Sequence, residues 1–254
     1  MRTGDRERPA NRQSAGRAAR HQAKGCGESE EASAEVSPTA RTRRATRRSR
    51  GGPSNEVAAF VLAGGESSRM GRDKALLELG GVPLIVRTAR LLESVIGLPT
   101  VVGRPEAYQS LRLRAIRDDW PDAGPLGGIA TALRASESKW NLVVACDLPY
   151  LTEEWLAFLV ERATQSNADA VIPVSDGGAE PLCAMYNKSC EPSVWLALDR
   201  GVRKVTDGLA GLRVEHIEPR EWKIFDSSSL LFKNMNLPAD YEEAKRRLGA
   251  REKK

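Results

Sequence analysis

Val61 to Leu77 reads VLAGGESSRMGRDKALL: an apolar run halts at two glycines, and two serines and three cations, Arg69, Arg72 and Lys74, follow at once. A strand that ends in such a turn has a physical use. Gly64 and Gly65 allow the backbone to bend with its N–H groups exposed in a concave nest. Arg69, through its planar fork, and Lys74, as a point charge, are then placed to neutralise a polyphosphate. The spacing is neither GxxxxGK[ST] nor GxGxxG, so the loop carries neither the P-loop nor the dinucleotide signature. An ordinary polar loop of Gly, Ser and Arg is the competing reading, and the full spacing weighs against it.

Outward from this loop the chain alternates short apolar runs with amphipathic stretches. Residues 57–64, 98–103, 113–118, 140–147 and 168–174 read as strands, several apolar at consecutive positions as in strands covered on both faces. Residues 83–95, 125–136 and 152–164 have helical spacing, the last opening with Thr152 as a cap and two acids in its first turn. A final helix runs over 238–248, between Pro238 and Gly249. The alternation predicts an α/β fold, a doubly wound, mostly parallel sheet with helices on both faces. Ligands of such sheets bind in the crevice outside the carboxyl ends of the strands.

Residues 1–53 differ in kind. They hold thirteen Lys and Arg against six Asp and Glu, so the remainder of this +5 chain carries −2. They contain no Leu, Ile, Phe, Tyr or Trp, too little apolar surface to offset the entropy of ordering, and are expected to be a disordered basic tail. A solvated extension or an upstream start is the simplest reading. A transit peptide is disfavoured by the six acids, and an arm that binds nucleic acid through RTRRATRRSR is the remaining alternative. The folded part is expected over 54–254. No run approaches the length of a membrane span, and the four cysteines match no zinc spacing, so a reducing cytoplasm is the expected setting.

Three further stretches belong to strand ends, and a fourth opens a strand. Asp118, in DDWPDAGPLGGI (118–129), closes a strand, and Gly124, Gly127 and Gly128 around Pro125 permit either close approach of a flat ring or phosphate, or a turn and a tight helix contact. Asp147, in VVACDLPYL (143–151), ends a buried strand before Leu148-Pro149 and is placed to hold Mg²⁺ beside a phosphate loop. Asn234 and Asn236, in NMNLPADYEEA, share one face if the segment is extended, and could meet a substrate or the metal shell. GGAEPLCAMY (177–186) reads as a turn and an alternating strand, with Glu180 and Pro181 either bordering a pocket or starting an edge strand. The only histidines are His21 and His216, and no nucleophile elbow occurs, which weighs against hydrolytic acyl chemistry. Phosphate attack on a nucleoside triphosphate needs no general base. It needs positioning, Mg²⁺ and charge neutralisation.

LAGGESSRMGRDKALLELGGVPL, followed in order by GPLGGI, CDLPYL, EPLCAMY and NMNLPADYEEA, closely resembles the molybdenum cofactor guanylyltransferases, within the MobA-like NTP transferases, over about residues 57–248. The resemblance implies a Rossmann-like nucleotidyltransferase domain at 54–254. It would transfer GMP from GTP-Mg²⁺ to the terminal phosphate of molybdenum–molybdopterin, releasing pyrophosphate. It also implies work alongside other proteins of cofactor biosynthesis or delivery. Nucleotide-binding positions carry over onto Leu62, Ala63, Gly64, Lys74 and Asp118, with Gly65 in the same loop; Asp147 matches the metal ligand, and Asn234 and Asn236 a pair on the pterin side. Arg69, Lys74 and Asp147 are the expected catalytic set. At Gly103 the family often has a nucleotide-contacting Asn, which leaves only a backbone contact here. The rivals are a cytidylyltransferase for the same cofactor, usually LAAG where this chain has LAGG, and a sugar-phosphate nucleotidyltransferase, usually LAGGxGTRL. A non-catalytic nucleotide-binding regulator is the alternative from another class.

Overall fold

The computed structural model describes residues 56–64, 73–226 and 228–251. The 1–53 tail lies outside them. The chain begins with β1 (Val57–Ala63), a short hairpin of β2 (Glu78–Leu79) and β3 (Val82–Pro83), and α1 (Leu84–Val95). It continues through β4 (Thr100–Gly103), β5 (Ala115–Arg117), α2 (Pro125–Ala135), β6 (Trp140–Ala145) and α3 (Glu153–Gln165). Then come β7 (Ala170–Ser175), β8 (Gly178–Ala179), β9 (Cys183–Asn187) and α4 (Glu191–Asp199). The remainder is α5 (Val205–Gly208), β10 (Val214–Ile217), α6 (Pro219–Trp222) and α7 (Pro238–Arg251).

One sheet runs β10-β7-β9-β6-β1-β4-β5, with β8 paired to β7. Its pairs are parallel except where β9 meets β6 and β7 and where β8 meets β7. The edge-strand alternative for the 183–187 run is therefore corrected: β9 is interior, antiparallel to both neighbours. Its sequence is fully apolar through Tyr186 because both faces are covered, and burial, not alternation, dominates its pattern.

The two layers of core follow the two-residue period of β1. Val61 and Ala63 face Ile85, Leu92, Trp155 and Leu159 of α1 and α3. Phe60, with Leu62 beside it, faces Leu126, Ile129 and Leu133 of α2 and Val194 and Leu198 of α4. Each fully buried Val, Leu, Ile or Phe among them contributes roughly 1.5–3 kcal/mol. A third cluster, Leu79, Leu84, Tyr150, Met235 and Ala244, packs α7 against the β2–β3 hairpin. The Tyr241 hydroxyl donates to the Glu78 carbonyl at 2.6 Å. This docking brings the 233–236 segment to the same sheet edge as Lys74.

Candidate active site

Parallel pairing sets Ala63 opposite Gly103 and Leu62 opposite Ala145, so the ends of β1, β4 and β6 open on one edge. Just past the undescribed part of the loop, Asp73 caps the turn Lys74–Leu76, its Oδ1 accepting from the Ala75 N–H at 3.0 Å. Its Oδ2 accepts from Arg104 Nη2 at 2.7 Å. The Tyr108 hydroxyl lies 2.9 Å from the Ala63 carbonyl oxygen and 3.2 Å from Asp73 Oδ2, so one proton is shared between strand and cap. Burial, then the Asp73 carboxylate, pushes the Tyr108 hydroxyl pKa well up, so it stays a donor. Lys74 leaves this capped turn at a fixed place.

Gly103 has a different job from a side-chain contact to a nucleotide. A Cβ there would lie 2.3 Å from the Ala63 oxygen and 3.4 Å from the Tyr108 ring. Glycine is required by close backbone approach, and the polar side chain at this end of β4 belongs to the next residue, Arg104.

Asp147 follows β6 and is half-buried. Burial raises its pKa, while the Lys74 ammonium and its own backbone N–H pull it down. The net rise marks a carboxylate whose charge the protein only partly offsets. Among the described residues no three His, Cys, Asp or Glu gather as a metal cage. One carboxylate plus substrate phosphates and water is, however, a usual Mg²⁺ donor set, and a desolvated, under-compensated Asp147 fits it. The Asp147 carbonyl accepts from the Met235 N–H at 3.0 Å. Met235 is buried, and Asn234 and Asn236 on either side are exposed. The alternation expected of a strand holds without any ladder. Asn236 Oδ1 accepts from Lys74 Nζ at 2.9 Å, so residues 74, 147 and 236 meet although 162 positions separate the outer two.

Asp118 stands at the other end of the edge. Its N–H donates to the Gly103 carbonyl at 3.1 Å, and its Oδ1 accepts from Thr131 Oγ1 at 2.8 Å and from the Trp120 N–H at 2.9 Å. The glycines of α2 are packing residues: a Cβ at Gly127 would lie 2.4 Å from the Trp120 oxygen, and one at Gly128 would lie 3.2 Å from Leu62. Of the two readings of GPLGGI, tight helix contact is the observed one for this pair. Gly124 alone faces open space, with φ +63°. Leu62 thus acts partly as the wall on which α2 rests. Gly64 follows β1, with nothing within 4 Å of where a Cβ would stand. Gly65 and Arg69 lie outside the described residues.

Sequence reasoning missed Asp73, Arg104 and Tyr108. Asp73 carried a local signal, a capping residue directly before Lys74. Tyr108 carried none, since its partners are 35 and 45 residues away. Cys146, Cys183 and Cys190 are buried free thiols; burial pushes Cys183 and Cys190 up to about 12, which suits no nucleophile.

Residues 59–215, more than half of the chain, match the MobA-like NTP transferase domain. The chain belongs to that family. Among similar proteins of this nucleotidyltransferase family is a probable molybdenum cofactor guanylyltransferase of Carboxydothermus hydrogenoformans. It is 36% identical over 183 residues, 72% of this chain and 92% of the relative. One of the same description from Trichormus variabilis is 36% identical over 194 residues, 73% and 89% of the two chains. The crystal structure of molybdopterin-guanine dinucleotide biosynthesis protein A from Archaeoglobus fulgidus superposes with TM-score 0.66 at 29% identity, covering 76% of this chain and 99% of that one. A 2-C-methyl-D-erythritol 4-phosphate cytidylyltransferase from Thermus thermophilus shares the fold, with TM-score 0.56 at 19% identity over 75% and 98% of the chains. This MobA-like NTP transferase is thus an enzyme of nucleotidyl transfer, with a Rossmann-like sheet. Among its described residues no helix is long and apolar enough to cross a membrane.

Proposed function

We propose that the chain transfers GMP from GTP to the terminal phosphate of molybdenum–molybdopterin, working in the cytoplasm with the proteins that supply or receive that cofactor. The observation that carries this reading is the meeting of Lys74, Asp147 and Asn236 at the carboxyl edge of β1 and β6. Relatives at 36% identity bear the guanylyltransferase description, which favours guanine over cytosine.

An acceptor phosphate oxygen, already ionised, forms a bond to the α-phosphorus of the nucleotide. The bond from that phosphorus to the oxygen bridging to the β-phosphorus breaks, and pyrophosphate leaves. The protein's part is placement and charge. Lys74, set by the Asp73 cap and oriented by Asn236, neutralises the triphosphate. Gly64 opens the phosphate turn, to which the sequence also assigns Gly65 and Arg69, outside the described residues; Leu62, Ala63, Gly103 through its backbone, and Asp118 border the nucleoside. Asp147 would hold Mg²⁺, which when bound offsets phosphate charge. Asn234 and Asn236 face the acceptor.

The test is direct: purified protein, molybdopterin-loaded acceptor and each of four nucleoside triphosphates, with detection of the dinucleotide. Product with GTP alone supports the reading. Product with CTP alone makes the chain a cytidylyltransferase, and none with any nucleotide returns it to a nucleotide-binding regulator.

A further inference from the structure

The loop that ends at β9 holds a carboxylate the mechanism above does not use. Cys183 pairs with Val144, and the Ala145 N–H donates to the Leu182 carbonyl at 2.8 Å, so Glu180 lies at the carboxyl edge of β6. It is on the far side of β6 from β1, β4 and β5, where the nucleotide residues stand. Its place is well built. The Glu180 N–H donates to the Pro173 carbonyl at 2.8 Å, and its own carbonyl accepts from the Cys183 N–H at 3.1 Å. Ser175 Oγ donates to Glu180 Oε1 at 2.5 Å, and Ser175 Oγ accepts from the Gly177 N–H at 3.0 Å. Glu180 is half-buried, burial raises its pKa, and among the described residues only the Ser175 hydroxyl offsets its charge. A desolvated carboxylate without a cation is costly unless the donors of a ligand meet it.

We propose that Glu180 recognises the two-donor edge of the acceptor's pterin ring, a ring N–H and the adjacent exocyclic amino group, with Ser175 holding the carboxylate in position. The inference rests on the proposed transfer for the identity of the acceptor. Two carboxylate oxygens accept two parallel N–H bonds, and such charge-assisted pairs are the stronger kind. Guanine presents the same edge, but position separates the two rings. Nucleotide residues run from β1 towards β5, and Glu180 lies one strand beyond Asp147 in the opposite direction. A substrate pair joined at Asp147 would extend both ways along the edge.

The experiment titrates the full chain and its Glu180→Gln variant with free pterin, followed by the fluorescence of the ring, and separately with GTP and Mg²⁺. Loss of the charge-assisted pair should weaken pterin binding about tenfold or more, with GTP affinity unchanged and thermal stability equal or higher. Ser175→Ala should give a smaller loss in the same direction, and it serves if the Gln variant does not fold. Equal pterin affinity in wild type and variants, no pterin binding by the wild type, or a parallel fall in GTP affinity would each overturn the proposal. A wild type that binds pterin through Glu180 but makes no dinucleotide would sink the proposed transfer and leave the subsite standing. Dinucleotide synthesis by Glu180→Gln at the wild-type acceptor KM would do the reverse.

Discussion

Lys74 and Asp147 hold opposite charges at one sheet edge, and their removal should read out differently. Lys74→Ala takes away a cation from an exposed crevice, where preorganised charge on a transferring phosphoryl group is worth most; kcat should fall about 100-fold or more, with little change in unfolding temperature. Near-normal kinetics in a folded variant would remove Lys74 from the phosphate site. Asp147→Asn should abolish Mg²⁺-dependent turnover and yet stabilise the free protein. The sign follows from the raised pKa of Asp147. A carboxyl whose folded pKa lies above its unfolded value contributes stability when protonated, below the unfolded pKa, and loses it as pH rises through the folded pKa. At pH 7 the wild type carries that cost and the Asn variant does not, so the variant should melt higher. The gap should close as pH falls through the acid range. Added GTP and Mg²⁺ should raise the melting temperature of the wild type only. Differential scanning fluorimetry across pH checks all three statements.

At the scale of elements, α2 couples the nucleotide end of the crevice to the core. Thr131, on its second turn, holds Asp118 Oδ1, while Gly127 lets the Trp120 carbonyl lie against the helix. Gly127→Ala places a Cβ 2.4 Å from that oxygen, so the Trp120 loop or the helix must shift. Overpacking of this kind costs about 1–3 kcal/mol, and the shift should move Asp118. The expected result is a lower unfolding temperature together with a raised KM for GTP. A fall in stability with KM unchanged would separate Asp118 from the nucleotide. The elements themselves were readable where burial wrote a continuous apolar run, as in β1 and β6, and where a cap and helical spacing marked an amphipathic helix, as in α3. The interior place of β9 was not readable, because an antiparallel strand between two others has the composition of any buried strand. Nor was β10, whose four residues VEHI carry too short a pattern.

For the whole molecule, the proposed division at 53/54 predicts that a chain of residues 54–254 keeps kcat and KM for GTP. It also predicts that any salt-sensitive binding to DNA disappears with the basic tail. A large loss of turnover on truncation would give the tail a part in catalysis. The sequence alone determined the alternation of strands and helices, the glycine-rich bend after β1 with Lys74 beyond it, and the positions of Asp118 and Asp147 at strand ends, because each is a local pattern of burial, turn chemistry or charge. Only the tertiary structure decided that Gly103 is a glycine for the sake of the Ala63 oxygen and that Tyr108 and Arg104 brace Asp73. The contacts of Asn236 with Lys74, and the place of Glu180 across β6, were likewise decided there. Those facts depend on which distant strands and loops become neighbours, and that is set by how the helices cover the two faces of the sheet, a choice no local stretch of residues encodes.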